Sequence, residues 1–231
     1  DAIVEGDYES VMPLIWKKDR KRLYQPSLLP HVGIYSINVL SPKRVENLLQ
    51  VIPAHFKVID IQLNDKSRPA EELGFEVSVV KHKYLPLNQP FEGLFDNFDP
   101  SLKASVQKAE NIGLRPVSDL KPERLAEFYK RHNMKWGNLE FNFHALQRLM
   151  WSALHRGWGF ASGVTDEKGE LLAVDFFIYS HGKVYSLMPV ESVEGRKKEA
   201  LTYLYYLILR KNANSPLILD FNLNSSEALA L

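Results

Sequence analysis

The segment formed by residues 170–224 constrains the fold more than any other part of the sequence. Two strand-like apolar runs, residues 171–179 and 183–190, are separated by the turn signal Ser180-His181-Gly182. A helical pattern follows them, and a further strand comes after the helix. Strands joined by a tight turn are antiparallel, whereas a doubly wound parallel sheet needs a helical crossover between each pair. The sequence therefore predicts an α+β fold of mixed, mainly antiparallel sheets with flanking helices.

The remaining elements follow the same alternation of strands and helices. Strands are predicted over residues 8–16, 31–38, 56–63, 75–81, 114–117 and 158–165, and a basic run at residues 17–22 is interpreted as a hairpin tip. Helices are predicted after Ser41, over residues 101–113, after Pro122 and after Asn142, because each has a capping residue or N-terminal proline and one apolar stripe. A last helix is predicted to begin at Ser225.

Composition narrows the class of protein. The 231 residues contain 29 Lys and Arg against 28 Asp and Glu, so any anion site must be local. Cysteine is absent, which excludes thiolate zinc sites and is typical of a cytoplasmic protein. No apolar run reaches the length of a membrane span, and the histidines are not spaced as metal ligands. Asp1 is not an initiator Met, so we expect a trimmed chain.

Basic residues mark two candidate sites for phosphate groups. Arg196, Lys197 and Lys198 stand at the entrance to a predicted helix, where free N–H groups and the helix dipole favour a diphosphate. The alternative is a solvated charged turn. Lys103 and Lys108 lie on one side of the predicted helix 101–113, where they would bind a phosphorylated acceptor or tRNA phosphates, unless this is only a solvated helix face.

Carboxylates occur inside or at the ends of apolar strand patterns, where an unpaired charge is costly. They are Asp175, Glu191 and Asp220. One of them would take a proton from an attacking amine if burial raised its pKa. Asp220 faces the same side as Asn222, which makes the pair a candidate site. Among the tyrosines of the following helix, Tyr206 is a candidate to protonate a leaving group, although packing explains most of them.

Three stretches resemble the GNAT acyltransferase superfamily, and in detail its Fem-type relatives with two GNAT-like units in tandem. Residues 101–113 resemble the segment before the second Fem unit, residues 194–200 stand where a GNAT protein has its pyrophosphate loop, and residues 219–225 resemble the next strand and turn. Tyr8-x-x-Val-Met-Pro-Leu also resembles the start of uncharacterised bacterial proteins of this group. The resemblance implies an N-terminal unit over residues 1–100 and a transferase unit over residues 101–231, divided near Pro100.

The resemblance also implies where an acyl donor would bind. Its carbonyl would be held by backbone N–H groups where the strand 183–190 diverges from its neighbour, at Met188, Val190 and Glu191. Pro189 marks either this divergence or a strand end, since it lacks an N–H. Gly195, Arg196 and Ala200 are the loop residues that suggest the acetyl-CoA pattern. Acetyl-CoA or another acyl-CoA is therefore one expected donor, and aminoacyl-tRNA, which Fem-type enzymes use, is the other.

We therefore predict an acyl- or aminoacyl-transferase that acts on an amine, either a small molecule or a cell-wall precursor. Its chemistry needs a held ester or thioester, a deprotonated amine and stabilisation of the oxyanion, but no metal. The alternative is a non-catalytic module in which the paired sheets bind a ligand or form a homodimer. The chain ends just after Ser225, where the family continues, so we expect an incomplete site.

Overall fold

The computed structural model describes residues 1–16, 21–26, 28–70, 74–79, 82–132 and 142–224, with only the backbone of 222–224. By internal contacts the chain divides into two compact units, Asp1–Val79 and Val80–Leu231. This division precedes the one predicted near Pro100. Residues 17–20 of the hairpin tip predicted over residues 17–22 lie outside the described residues, as does the predicted helix at Ser225.

The first unit contains short strands and one helix. In chain order they are β1 (Ala2–Glu5), β2 (Ser10–Pro13), β3 (Arg22–Tyr24), β4 (Tyr35–Ser36), α1 (Pro42–Gln50) and β5 (Val58–Asp60). Strands β1, β2 and β4 form an antiparallel sheet, while β3 and β5 pair in parallel. The Ser41 side chain caps α1, as predicted, by accepting the Arg44 N–H. The predicted stripe of α1 packs into the apolar core of this unit.

The second unit contains the segment on which the fold prediction was built. Its elements are β6 (His82–Pro86), α2 (Phe91–Asp96), α3 (Pro100–Asn111), β7 (Arg115–Val117), α4 (Pro122–His132), α5 (Phe143–His155), β8 (Gly159–Thr165), β9 (Leu171–Ser180), β10 (Lys183–Ser186), β11 (Val190–Glu191), α6 (Val193–Lys197), α7 (Ala200–Asn212) and β12 (Ile218–Asn224). The helix predicted after Asn142 begins there because the Asn142 side chain accepts the Ala145 N–H.

These strands form one sheet in the order β6-β12-β10-β9-β8-β7, and β11 pairs with β9. Every pair is antiparallel except β10 and β12, which the crossover helix α7 connects in parallel. The predicted class of mixed, mainly antiparallel sheets with flanking helices is thus confirmed. Helix α7 covers one face of the sheet, and its Leu204 and Tyr205 are fully buried against a core that includes Phe177 and Leu219.

Three observed strands lie outside the residues predicted as strands: β1, β3 and β6. Residues 75–79 are not in a strand, and β6 begins at His82, directly after the strand predicted over residues 75–81. The local pattern gives little signal for β6, because Lys83 and Tyr84 are exposed and Pro86 ends the run. Its pairing with β12, far away in the sequence, defines the strand. Non-local pairing of this kind overrides local propensity.

The position of α7 on the sheet is the first testable feature. Leu204 is completely buried, so Leu204→Ala leaves a cavity and should lower the free energy of unfolding by about 2–5 kcal/mol. Val193→Ala is the control, because Val193 is exposed and its truncation should change stability by less than about 0.5 kcal/mol. Urea unfolding followed by tryptophan fluorescence measures both variants. Equal effects would contradict this packing.

Candidate active site

The pairing between β10 and β12 stops abruptly. Lys183, Val184 and Tyr185 pair with Ile218, Leu219 and Asp220, after which β11 pairs with β9 alone. The two parallel strands therefore diverge after Tyr185 and Asp220. A gap opens between β11 and the end of β12, in the region where the resemblance places the acyl carbonyl.

A bulge accompanies this divergence. Ser186 pairs with Phe177, and Val190 pairs with Val174. Between these pairs, Leu187, Met188 and Pro189 stand opposite only Asp175 and Phe176, so one strand has one extra residue. Pro189 lies in the bulge, where its missing N–H interrupts no ladder hydrogen bond. Of its two interpretations, the structure supports a marker of the divergence.

The bulge determines which way the Glu191 backbone faces. The Ser192 N–H donates to the Leu172 carbonyl at 2.8 Å, so the backbone of Ser192 faces β9. Backbone groups alternate between the two edges of an antiparallel strand. The N–H of Glu191 therefore points to the opposite edge, into the gap beside β12. Among the residues of the predicted cradle, Glu191 is therefore the one whose N–H this geometry directs into the gap.

Met188 differs from Glu191 in this respect, because its N–H is already engaged. It donates to Asp175 Oδ1 at 2.8 Å, and the Phe176 N–H donates to the same oxygen at 2.7 Å. The other oxygen, Oδ2, accepts from the Ser186 hydroxyl at 2.6 Å and from the Tyr205 hydroxyl at 3.3 Å. Asp175 and Ser186 are completely buried, as is Tyr205.

Burial controls the protonation of this cluster. It raises the pKa of Asp175 to about 7, although the four donated hydrogen bonds oppose the shift. Burial, together with the neighbouring Asp175 charge, also raises the pKa of Tyr205 well above its ordinary value. Tyr205 therefore stays protonated and donates near pH 7, where Asp175 exchanges its proton.

The segment predicted to bind a diphosphate forms the short helix α6. Ser192 caps it, and the Gly195 N–H donates to the Ser192 hydroxyl at 2.9 Å. The N–H groups of Arg196, Lys198 and Glu199 donate to carbonyls of the same segment. Gly195 is needed for close packing, since a Cβ there would lie 2.2 Å from the Leu172 carbonyl oxygen. These N–H groups stabilise α6 and are not free for an anion.

The three basic side chains of this segment are paired with carboxylates. Arg196 lies 3.1 Å from Glu191 and is 80% exposed, so this ion pair is screened by solvent. Lys197 lies 3.4 Å from Glu194. Lys198 lies 3.6 Å from both Asp166 and Glu194. The local excess of positive charge expected at a helix entrance is therefore offset, and coenzyme binding by Gly195, Arg196, Lys197 and Lys198 stays a prediction.

Asp220 lies at the mouth of the gap, in the last pair that joins β10 to β12. Its carboxylate is almost completely buried, 3.9 Å from Lys183 Nζ and 4.0 Å from His82 Nδ1. Asn222 follows on β12, and its side chain lies outside the described residues. Glu191 and Asp220 therefore stand on the two strands that border the gap.

The remaining candidates lie elsewhere in the second unit. Tyr206 packs against Phe91 and Phe95 of α2, so the tyrosine of α7 that reaches the bulge is Tyr205. Lys103 Nζ donates to the Asp96 carbonyl, and Lys108 Nζ donates to the Lys197 carbonyl, both at 2.9 Å. Both lysines therefore cap neighbouring backbone, and their role toward a substrate stays a prediction.

A cavity of about 440 Å³ lies between α4, the start of β9 and α6. Ser192, the residue after Glu191, contributes to its wall. The remaining lining combines charged side chains of both signs, among them Arg124, Glu127 and Glu170, with the apolar Phe128, Leu171 and Leu172. Burial and the neighbouring Arg131 lower the pKa of His132, which favours its neutral form.

Sequence reasoning assigned no role to the partners of Asp175. The cost of a carboxylate within the apolar run of β9 was the available signal for Asp175. Ser186 and Tyr205 lie 11 and 30 residues further along the chain, so no local pattern connects them with Asp175.

Within the described ranges, no group of three or more potential metal ligands occurs. Nor does any helix of these ranges have the length and apolar character needed to cross a membrane.

Three solved structures share this fold over nearly the whole chain. The structure of FemX aligns with a TM-score of 0.67 and 15% identity, covering 99% of this chain and 80% of FemX. L-PGS from Bacillus licheniformis aligns with a TM-score of 0.58 and 13% identity, covering 100% of this chain and 71% of L-PGS. The C-terminal domain of a candidate lysylphosphatidylglycerol synthetase from Agrobacterium fabrum aligns with a TM-score of 0.55 and 8% identity. The alignment covers 95% of this chain and 69% of that domain.

These likenesses confirm the predicted Fem-like GNAT fold. No protein-family model matches the sequence, and the curated proteins contain no match to it. At such low identity the likeness establishes the fold and leaves the donor and the acceptor open.

The buried Asp175 predicts a particular dependence of stability on pH. Between its ordinary pKa of 3.8 and its folded pKa of about 7, the folded protein keeps a proton that the unfolded chain has released. The free energy of unfolding should therefore fall as pH rises through this window, by at most about 1.4 kcal/mol per pH unit. Asp175→Asn carries no such proton and should lack this slope.

Urea unfolding of both proteins from about pH 4.5 to pH 7.5 measures the difference, in which the other titrating groups cancel. Parallel stability curves would show that Asp175 titrates normally and would contradict its burial.

Proposed function

We propose that the second unit transfers an aminoacyl group from an aminoacyl-tRNA ester to an amine acceptor, with the gap between β11 and β12 as the reaction site. The observation that carries this proposal is the pairing of these strands. The parallel ladder ends at Tyr185 and Asp220, and the bulge then directs the Glu191 N–H into the gap. A backbone N–H held in this way stabilises the oxyanion formed when an amine attacks an ester carbonyl.

An aminoacyl-tRNA donor agrees better with α6 than a coenzyme A thioester does. The N–H groups of Gly195, Arg196 and Lys198 are used within the helix, and the basic side chains are paired with acids. A diphosphate would have to displace these contacts. The likeness to FemX and to a lysylphosphatidylglycerol synthetase candidate supports the same choice, since the latter name describes transfer of an amino acid to a lipid.

The acceptor amine must lose a proton during the transfer. Asp220, beside the gap, is the proposed proton acceptor, as the sequence suggested. The amide bond forms as the ester bond breaks, and the released tRNA hydroxyl takes up a proton. The Glu170 carboxylate in the neighbouring cavity would attract the amine in its ammonium form. A small amine or the amino group of a cell-wall precursor fits this environment. Homodimer formation stays a prediction.

The non-catalytic alternative predicted continuous strand pairing. A ligand-binding or dimerisation module has no need of a gap between β11 and β12, or of a bulge that turns an N–H into it. The observed divergence therefore favours the enzyme.

Glu191 separates a backbone role from a side-chain role. Glu191→Pro removes the N–H that faces the gap and, because this N–H is not part of the β9 ladder, leaves the sheet paired. We expect transfer to fall by about 10²–10³-fold. Glu191→Ala keeps the N–H and removes the carboxylate, and should retain most of the activity. Transfer of radiolabelled aminoacyl groups from charged bulk tRNA to hydroxylamine, above the uncatalysed rate, is the measurement.

Equal losses of transfer activity in the two variants would show that the Glu191 carboxylate is the group required, as the sequence predicted for this residue. No transfer by the wild-type protein to hydroxylamine or to other amines would refute the proposed function.

The donor can be identified without the acceptor. A ligand that binds only the folded state raises the melting temperature. We expect aminoacyl-tRNA to raise it and millimolar coenzyme A or acetyl-CoA to leave it unchanged, with no difference in Arg196→Ala. A shift with acetyl-CoA that disappears in Arg196→Ala would instead identify α6 as a coenzyme site.

A further inference from the structure

We propose that Asp175 is a positioning residue of the transfer reaction, which holds the bulge that turns the Glu191 N–H into the gap. The inference depends on the proposed function for its catalytic meaning. Its structural content, that one carboxylate determines the facing of Glu191, can be tested independently.

Without a bulge, the strand would pair with β9 in a different register. If the pairing of Ser186 with Phe177 continued regularly, Pro189 would stand opposite Val174, and Glu191 would stand opposite Leu172. The Leu187 N–H faces β9, donating to the Phe176 carbonyl at 2.9 Å. By alternation the backbone of Glu191 would then also face β9. A one-residue slip thus reverses the edge to which the Glu191 N–H points.

A side-chain hydrogen-bond acceptor keeps the extra residue of the bulge in place. A bulge leaves one residue outside the ladder, and here the Met188 N–H has no β9 carbonyl as its partner. Asp175 Oδ1 replaces that carbonyl at 2.8 Å while also accepting the neighbouring Phe176 N–H. The bulge therefore has an acceptor that the regular register would not use. Pro189 adds to this preference, because its missing N–H would face β9 in the regular register.

The orientation of Asp175 is itself fixed by hydrogen bonds. Its Oδ2 is held by the hydroxyl groups of Ser186 on β10 and Tyr205 on α7. In the described chain, Tyr205 is the titratable side chain that contacts it. Burying a carboxylate completely is costly, and a purely structural strand position could hold an apolar residue. The cost is understandable where one group must hold two backbone N–H groups at a fixed distance from a reaction site.

Two substitutions at Asp175 separate positioning from the mere presence of a charge. Asp175→Asn keeps an oxygen in the position of Oδ1, so the bulge should persist and transfer should stay within about threefold of wild type. Asp175→Ala removes the acceptor of the Met188 N–H. The Glu191 N–H should then move, and transfer should fall by about tenfold or more, since small misplacements cost this much. Ser186→Ala removes one of the two hydroxyl groups that orient Asp175 but keeps Oδ1 as an acceptor for the Met188 N–H, so it should lower transfer less than Asp175→Ala does.

Amide hydrogen exchange and pH titration by NMR test the structural content without any substrate. In the wild type, the Met188 amide should be protected from exchange, and its chemical shift should follow the titration of Asp175. In Asp175→Asn the protection should remain and the titration should disappear. This measurement needs only the wild type and the Asn variant, so it decides the matter even if Asp175→Ala does not fold.

The proposal is overturned if the Met188 amide exchanges freely with solvent, or if its chemical shift does not follow the titration of Asp175. It is also overturned by a folded Asp175→Ala with wild-type transfer, or by an Asp175→Asn as inactive as Asp175→Ala while its Met188 amide stays protected. If the Met188 amide behaves as expected but the wild type transfers no aminoacyl group to any amine, the proposed function fails and the structural role of Asp175 is upheld.

Discussion

A single carboxylate connects three elements of the second unit at the point where its sheet opens. Asp175 of β9 accepts the Met188 N–H in the bulge, the Ser186 hydroxyl at the end of β10 and the Tyr205 hydroxyl of α7. The facing of the Glu191 backbone follows from the bulge. Asp175 therefore links β10, the bulge and α7 beside the point where the pairing of β10 with β12 ends.

The energetic character of this cluster is unusual for a sheet interior. An ionised carboxylate without partners would not survive such complete burial, and four donated hydrogen bonds reduce the cost without cancelling it. The pKa of about 7 expresses the remaining cost. The wild-type protein therefore gives up stability near neutral pH to keep an acceptor in this place. Groups retained at such a cost are commonly those that define a particular geometry.

The sequence was sufficient for the elements whose signals are local. Ser41 and Asn142 cap helices where predicted, and the turn at Ser180-His181-Gly182 joins the two predicted strands. Pro189 was correctly recognised as exceptional, but its two interpretations could not be separated, because the choice depends on Val174 and Phe177 of another strand. The strand β6 was missed for the same reason. Its pairing with β12 spans most of the unit and leaves no periodic pattern.

The site residues divide along the same line. The resemblance predicted an approximate location for the cradle, whereas the register of β11 was needed to tell which of the N–H groups there faces the gap. Residues chosen for their charge, such as Arg196, were identified without their partners, and pairing with Glu191 changes what they offer a ligand. The carboxylate inside an apolar run was the most informative local signal, although its partners are recognisable only after folding.

The resulting site relies on geometry rather than on stored positive charge. An ester carbonyl is neutral before attack, and negative charge develops on its oxygen only in the transition state. An N–H fixed by the strand register favours that state without binding the ground state strongly. A donor of this kind needs a separate means of being held, and a bulky carrier such as tRNA provides contact area that a small thioester lacks. The offset charges of α6 are thus compatible with a transferase whose donor is held mainly through its carrier.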